Sequence, residues 1–137
     1  MTNMRDEFNP LEGYAMSPET LWDRYARIWA LDADARIGEL AACVTPDITY
    51  CDSNGLIEGR PAISIYMGEF QKSVPGGTFR IRAVIHHHDR TLAHWALHGL
   101  KGSALQTGAS FGLLSEDGRF RSITGFFHQA SDQNQPI

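Results

Sequence analysis

The periodicity of apolar residues changes once along this chain, at Val74-Pro75-Gly76-Gly77, and that change restricts the fold more than any other feature. Upstream, apolar residues recur at helical spacing. Ser17-Pro18-Glu19 reads as a helix start, with Ser17 as N-cap and Pro18 in the first turn. Leu21, Tyr25, Ile28 and Trp29 then form one stripe, widened by Trp22 and Ala26. Leu31-Asp32 breaks that helix, and Asp32 or Asp34 caps a second through Ile37, Leu40 and Ala41, ending before Pro46. Downstream, apolar residues alternate. Over Thr78–His88 they set Phe79, Ile81, Ala83 and Ile85 against Arg80, Arg82, Val84 and His86. A turn at Asp89-Arg90 leads to Thr91–Leu100, one at Lys101-Gly102-Ser103 to Leu105–Leu114, and Glu116-Asp117-Gly118 to Arg119–His128. Helices followed by strands imply α+β. The expected architecture is a cone: a strongly curved, mixed, mainly antiparallel sheet wrapped around about three helices, its open end a pocket.

Between these halves lies Thr45–Phe70. Asp47–Asp52 is a short strand entered at Pro46, Ser53-Asn54-Gly55 a turn, and Ile57-Glu58-Gly59 a second extended piece. A helix follows with Pro61 in its first turn and Ile63, Tyr66, Met67 and Phe70 on its apolar side. Strand alternation places Asp52 on the same face as Ile48 and Tyr50. Two readings of that carboxylate follow. In an apolar pocket it is a general base whose charged form is disfavoured by desolvation. In an Asp-Ser-Asn-Gly turn it accepts backbone amides, which favour the charged form.

The chain has 137 residues, enough for one core. Residues 17–128 are expected to form the domain, with 1–16 an arm and 129–137 a polar tail. The net charge of −4, with no basic run, argues against nucleic acid as a partner. Two cysteines, Cys43 and Cys51, are too few for a disulfide framework and fit a cytoplasmic setting. No run approaches the length of a membrane span, and no signal peptide is visible.

Tyr50-Cys51-Asp52-Ser53-Asn54-Gly55, Glu58-Gly59-Arg60, Gly108-Ala109-Ser110, Asp117-Gly118-Arg119 and Gly125-Phe126-Phe127, together with Leu21–Trp29, resemble the nuclear transport factor 2-like superfamily. The similarity is to its SnoaL-like polyketide cyclase and ketosteroid isomerase branches and covers Pro18 to His128. Ketosteroid isomerases pair an Asp base with a Tyr and a protonated Asp as oxyanion donors. By position, the resemblance implies Asp52 as base and Tyr25 as phenol, while the protonated acid falls on Ser110. A serine there donates a hydrogen bond but is no acid, and the acidic residue that SnoaL-like cyclases usually carry on this strand is also missing. Scytalone dehydratase-like relatives do use a serine on it.

The resemblance also places Ala93, Trp95 and Leu97 on the cavity side, with Ile123, Gly125 and Phe127. The expected ligand-contacting residues are Tyr50, Trp95, Leu97, Ile123, Phe127 and His86, the last from the His86-His87-His88 triplet at a pocket mouth. A metal is not expected, because adjacent strand residues point to opposite faces and no helpful Glu or Cys accompanies the histidines. No cofactor is expected either. The implied function is binding of a small, mostly apolar, carbonyl-bearing or polycyclic molecule, with isomerisation, cyclisation or dehydration through Asp52, Tyr25 and Ser110. The competing class is a non-catalytic ligand-binding or dimerisation module. Apolar residues on both faces of the last strands point to a homodimer through the sheet's outer face.

Overall fold

The structure, a computed structural model, describes residues 16–128. The expected arm, apart from Met16, and the expected tail lie outside those residues. Helices α1 (Pro18–Ile28) and α2 (Ala33–Cys43) are followed by β1 (Val44–Asp52), β2 (Gly55–Glu58) and α3 (Arg60–Ser73). Four strands complete the chain: β3 (Thr78–His87), β4 (Arg90–His98), β5 (Ala104–Leu114) and β6 (Phe120–Phe127). The six-stranded sheet runs β2-β1-β6-β5-β4-β3. Its β1–β6 pair is parallel and its other pairs are antiparallel. The sheet is curved and unclosed, with β2 and β3 as edges, and the fold is α+β.

Both helix starts on the N-terminal side follow from side-chain capping. Ser17 Oγ accepts from the Thr20 amide at 3.1 Å, and Asp32 Oδ1 from the Ala35 amide at 2.9 Å. Helix α2 runs to Cys43 and passes directly into β1, three residues earlier than the strand expected from Asp47. Pro46 lies inside β1 where the ladder to β6 slips, between Val44 and Thr49. An irregularity tolerates the missing N–H that a regular ladder would not.

The core lies between α1 and the concave side of the sheet. Trp22 packs on Phe120 and Tyr25, with ring centroids 4.5 and 6.1 Å away. Its indole N–H donates to Thr91 Oγ1 at 2.8 Å, and both side chains are buried. Removing that acceptor would leave a buried donor unpaired, at a cost of about 1–3 kcal/mol.

Strand β3 departs from the expected alternation. Ile81 pairs with Trp95 but Ala83 with His94, so Arg82 is an extra residue. A one-residue bulge exchanges the faces beyond it. Phe79, Ile81 and then Val84 pack against the core, whereas Ala83 and Ile85 turn outward. The β3–β4 connection is also one residue earlier than expected: His88 and Asp89 form the turn, His88 at φ 52°, and Arg90 already pairs with His87.

Candidate functional site

A half-enclosed cavity of about 350 Å³ opens between α1, α3 and the concave face of the sheet. Tyr25 and Trp29 enter it from α1, Tyr66, Glu69 and Phe70 from α3, and Phe79, Trp95, Leu97, Ser110 and Phe127 from the sheet. The α1 contribution is fixed from outside. Gln71 Nε2 donates to the carbonyls of Trp29 and Leu31 at 2.8 and 2.7 Å, which ties the end of α1 to α3. Trp29 is thereby held against Tyr50, Tyr66, Phe70 and Phe79, each ring centroid 5.4–6.1 Å from its own. These are edge-on or tilted pairs, the arrangement that the ring quadrupoles favour.

Asp52 ends β1 on the cavity wall and is 9% exposed. Its carboxylate accepts from the Tyr50 phenol at 2.7 Å and from the Tyr66 phenol at 2.9 and 2.8 Å. It also accepts from the Asn54 amide at 2.7 Å. The positions that the two readings require coincide: Asp52 lines a cavity and closes an Asx turn. It forms no ion pair among the described residues. Burial pushes the Tyr66 phenol up to about 12, helped by its bond to Asp52. Burial, and then the neighbouring Tyr25, raises Tyr50 well beyond the ordinary phenol range. Both phenols therefore remain donors at neutral pH.

Tyr25 is 5% exposed, and its hydroxyl has no hydrogen-bond partner among the described residues. Burial pushes its phenol well above the ordinary phenol range, an effect the nearby Trp29 side chain offsets only in part. The result is a protonated, buried donor on the wall of a cavity. Ser110 lies across the sheet from Asp52. It pairs with Gly125 on β6, and a Cβ placed at Gly125 would stand 3.5 Å from Ser110 Oγ and 3.7 Å from Asp52 Cβ. Trp95 Nε1 donates to Ser110 Oγ at 3.0 Å. With one lone pair of Ser110 so occupied, its own O–H remains available as a donor.

The structure brings Asp52, Tyr25, Ser110, Tyr50, Trp95, Leu97 and Phe127 to one cavity. Two residues expected there are elsewhere. Ile123 is fully buried in the core and is not among the lining residues. His86 is corrected more fundamentally. Beyond the β3 bulge it pairs with Thr91 and comes within 3.5 Å of Glu19 at the start of α1, half-exposed and away from the cavity. His87 and His88 are exposed as well. Among the described residues no group of three or more His, Cys, Asp or Glu is placed to hold a metal ion. No described helix is long and apolar enough to cross a membrane. The sequence reading missed Tyr66 as a partner of Asp52, and Trp29, Phe70 and Phe79 as cavity wall. All four fall on stripes that a buried core explains equally well.

A family profile described as the SnoaL-like domain matches residues 22–125. No curated protein matches the chain in sequence. Among solved structures, a protein assigned as an isomerase of the SnoaL-like family from Agrobacterium tumefaciens is 21% identical. The match covers 81% of this chain and 97% of that one, with a TM-score of 0.76. A protein assigned as a polyketide cyclase from Sinorhizobium meliloti is 16% identical over 86% of this chain and 99% of its own, at a TM-score of 0.63. Another, assigned as a SnoaL-like polyketide cyclase from a Jannaschia species, is 15% identical over 87% and 94%, at 0.65. At these identities the solved structures bear on the fold alone, whereas the profile spans most of the sequence: the chain belongs to the SnoaL-like domain family.

Proposed function

We propose that the cavity binds a small, mostly apolar, carbonyl-bearing molecule and moves a proton at the carbon beside its carbonyl, with no cofactor. One observation carries this reading: a buried carboxylate and a tyrosine whose buried hydroxyl has no partner among the described residues line the same apolar cavity. Asp52 is the base in this scheme. It takes the carbon-bound proton, the C–H pair passes toward the carbonyl oxygen, and Asp52 returns the proton to the same or a conjugated carbon. Tyr25 and Ser110 donate to the developing oxyanion. Tyr50, Tyr66 and the Asn54 amide hold the carboxylate in place. Membership of the SnoaL-like domain family, whose fold is shared by proteins assigned as an isomerase and as a polyketide cyclase, is in keeping with that class of chemistry. The absence of an acid at position 110 favours the alternative, a binding module without catalysis.

2-Tetralone is a suitable probe, being bicyclic, apolar and neutral, with acidified protons beside its carbonyl. Deuterium wash-in at that carbon, followed by NMR in D2O, should be accelerated by the protein. Asp52→Asn should remove about 10²–10⁴-fold of the acceleration, the usual contribution of a positioned base. Acceleration that survives Asp52→Asn unchanged rules out the mechanism and leaves the binding module.

The outer face of the sheet supports a second proposal, a homodimer. Leu105 and Phe126 are 56% and 61% exposed there, on neighbouring strands β5 and β6 with Phe111 and Leu113 beside them. A second copy applied through a twofold axis would cover this apolar surface.

A further inference from the structure

We infer that the cavity selects ligands by charge: its substrate enters without a negative charge, as a neutral carbonyl compound, and carboxylates and phosphates are rejected. The inference rests on the ligand reading above and narrows its substrate class. Two carboxylates, Asp52 and Glu69, line the cavity, and among the described residues no Lys, Arg or His does. Glu69 stands at the exposed end of α3 and is 3.2 Å from Lys72, so its charge is partly balanced. Asp52 has no such partner among the described residues. Its donors are two phenols and a backbone amide, all neutral. The aromatic wall around it, built on Trp29, Tyr50 and Tyr66, supplies little dielectric screening.

The orphan phenol of Tyr25 gives the second half of the argument. It is a donor in need of an acceptor, which a ligand oxygen would provide. The charge on Asp52 reaches the Tyr25 hydroxyl, where it adds to the rise of the phenol, and acts likewise on Tyr50 and Tyr66, which bond it directly. A second negative charge placed near these hydroxyls is opposed for the same reason. Neutral carbonyl oxygen is not. Proton abstraction from a neutral ligand also leaves the cavity's total charge unchanged. As the C–H bond breaks and its pair moves to oxygen, the new O–H bond neutralises Asp52. An anionic substrate would carry a second charge throughout.

The test uses three ligands of one shape: 2-tetralone, the anion tetralin-2-carboxylate, and protonated 2-aminotetralin. Binding is read at pH 7 from quenching of tryptophan fluorescence, to which Trp29 and Trp95 contribute. The carboxylate should bind at least ~10-fold more weakly than the ketone, a conservative figure for like charges a few ångströms apart in a partly screened site. The amine should bind no more weakly than the ketone. In Asp52→Asn the gap between ketone and carboxylate should close. Carboxylate binding equal to or tighter than the ketone's in the unaltered protein overturns the inference, whether or not the variant folds. So does a gap that persists in a folded Asp52→Asn. If none of the three binds, the ligand reading fails and takes this inference with it. Charge discrimination without deuterium wash-in would leave the inference standing and remove only the catalytic step.

Discussion

Replacing Gly125 by alanine perturbs the site while asking almost nothing of the fold. Gly125 lies within β6, has no left-handed φ, and is buried. An added Cβ would meet Ser110 Oγ at 3.5 Å, Asp52 Cβ at 3.7 Å and Tyr50 Oη at 3.7 Å, all ordinary contact distances. Folding should therefore be unharmed, or favoured by up to about 1 kcal/mol because glycine loses more freedom in a strand than alanine. The new methyl group nevertheless stands between Asp52 and Ser110, where the ligand's reacting carbon and oxygen are proposed to lie. Crowding a packed site by one methyl costs about 1–3 kcal/mol. At 1.4 kcal/mol per tenfold, 2-tetralone should bind ~5- to 150-fold more weakly. Gly108→Ala is the counterpart. There an added Cβ would overlap the Trp95 ring and the Phe126 carbonyl, so the cost falls on folding, again about 1–3 kcal/mol, and Trp95 would be pushed off Ser110. Urea denaturation and fluorescence titration on both variants separate the two effects. Wild-type affinity in Gly125→Ala would show that the ligand does not use the gap between Asp52 and Ser110. Unchanged stability in Gly108→Ala would refute the packing argument.

Three further outcomes are expected. Phe126→Asp and Leu105→Asp should give a monomer by sedimentation with the fold intact, whereas an unaltered protein that is already monomeric at micromolar concentration would contradict the proposed dimer. The Arg24–Glu39 pair holds the Glu39 carboxyl below its ordinary value. Its stabilisation is present above the unfolded carboxylate's pKa and is lost as pH falls through the lowered one. Glu39→Gln should thus cost below about 1 kcal/mol at pH 7, since the pair is partly exposed, and nothing in acid urea melts. At the alkaline end the signs reverse. Tyr25, Tyr50 and Tyr66 are all raised by burial, so their contribution is complete below the unfolded phenol value of about 10 and is lost as pH climbs through the folded values, about 12 for Tyr66. Tyr50→Phe should weaken the dependence of stability on pH above 10, and an unchanged alkaline limb would refute the assignment.

The helices and strands were legible because their signals are local. Ser17 and Asp32 cap where a short polar side chain precedes an apolar stripe, and the four long strands alternate between recognisable turns. Face assignment failed on β3 because a bulge has no composition of its own here. Arg82 is one of two arginines in an alternating run, and nothing in the sequence marks it rather than Arg80 as the extra residue. Once the ladder slips at Arg82, every later residue of β3 changes side, and His86 goes with them. That slip puts His86 on the inward side with Val84, but at the far end of β3, opposite Thr91 and beside Glu19 of α1, whereas the cavity lies at the Phe79–Ile81 end.

The site was half legible for a different reason. Asp52 is visible because a carboxylate on an apolar strand face is anomalous and demands a partner. Its partners are not visible, because tyrosine on an apolar helical stripe is ordinary. Tyr66 follows Ile63 and precedes Met67 and Phe70 on α3, and the sequence alone makes all four core. Only the crossing of α3 over the end of β1 brings a phenol 14 residues away onto both oxygens of Asp52. The same crossing explains how the carboxylate is buried with no cation beside it among the described residues: Tyr50 from its own strand, Tyr66 from the helix and the Asn54 amide from the turn approach it from three directions. A charged partner would have satisfied Asp52 more strongly and would also have cancelled its field. Neutral donors hold the carboxylate in place and leave that field acting on whatever enters the cavity.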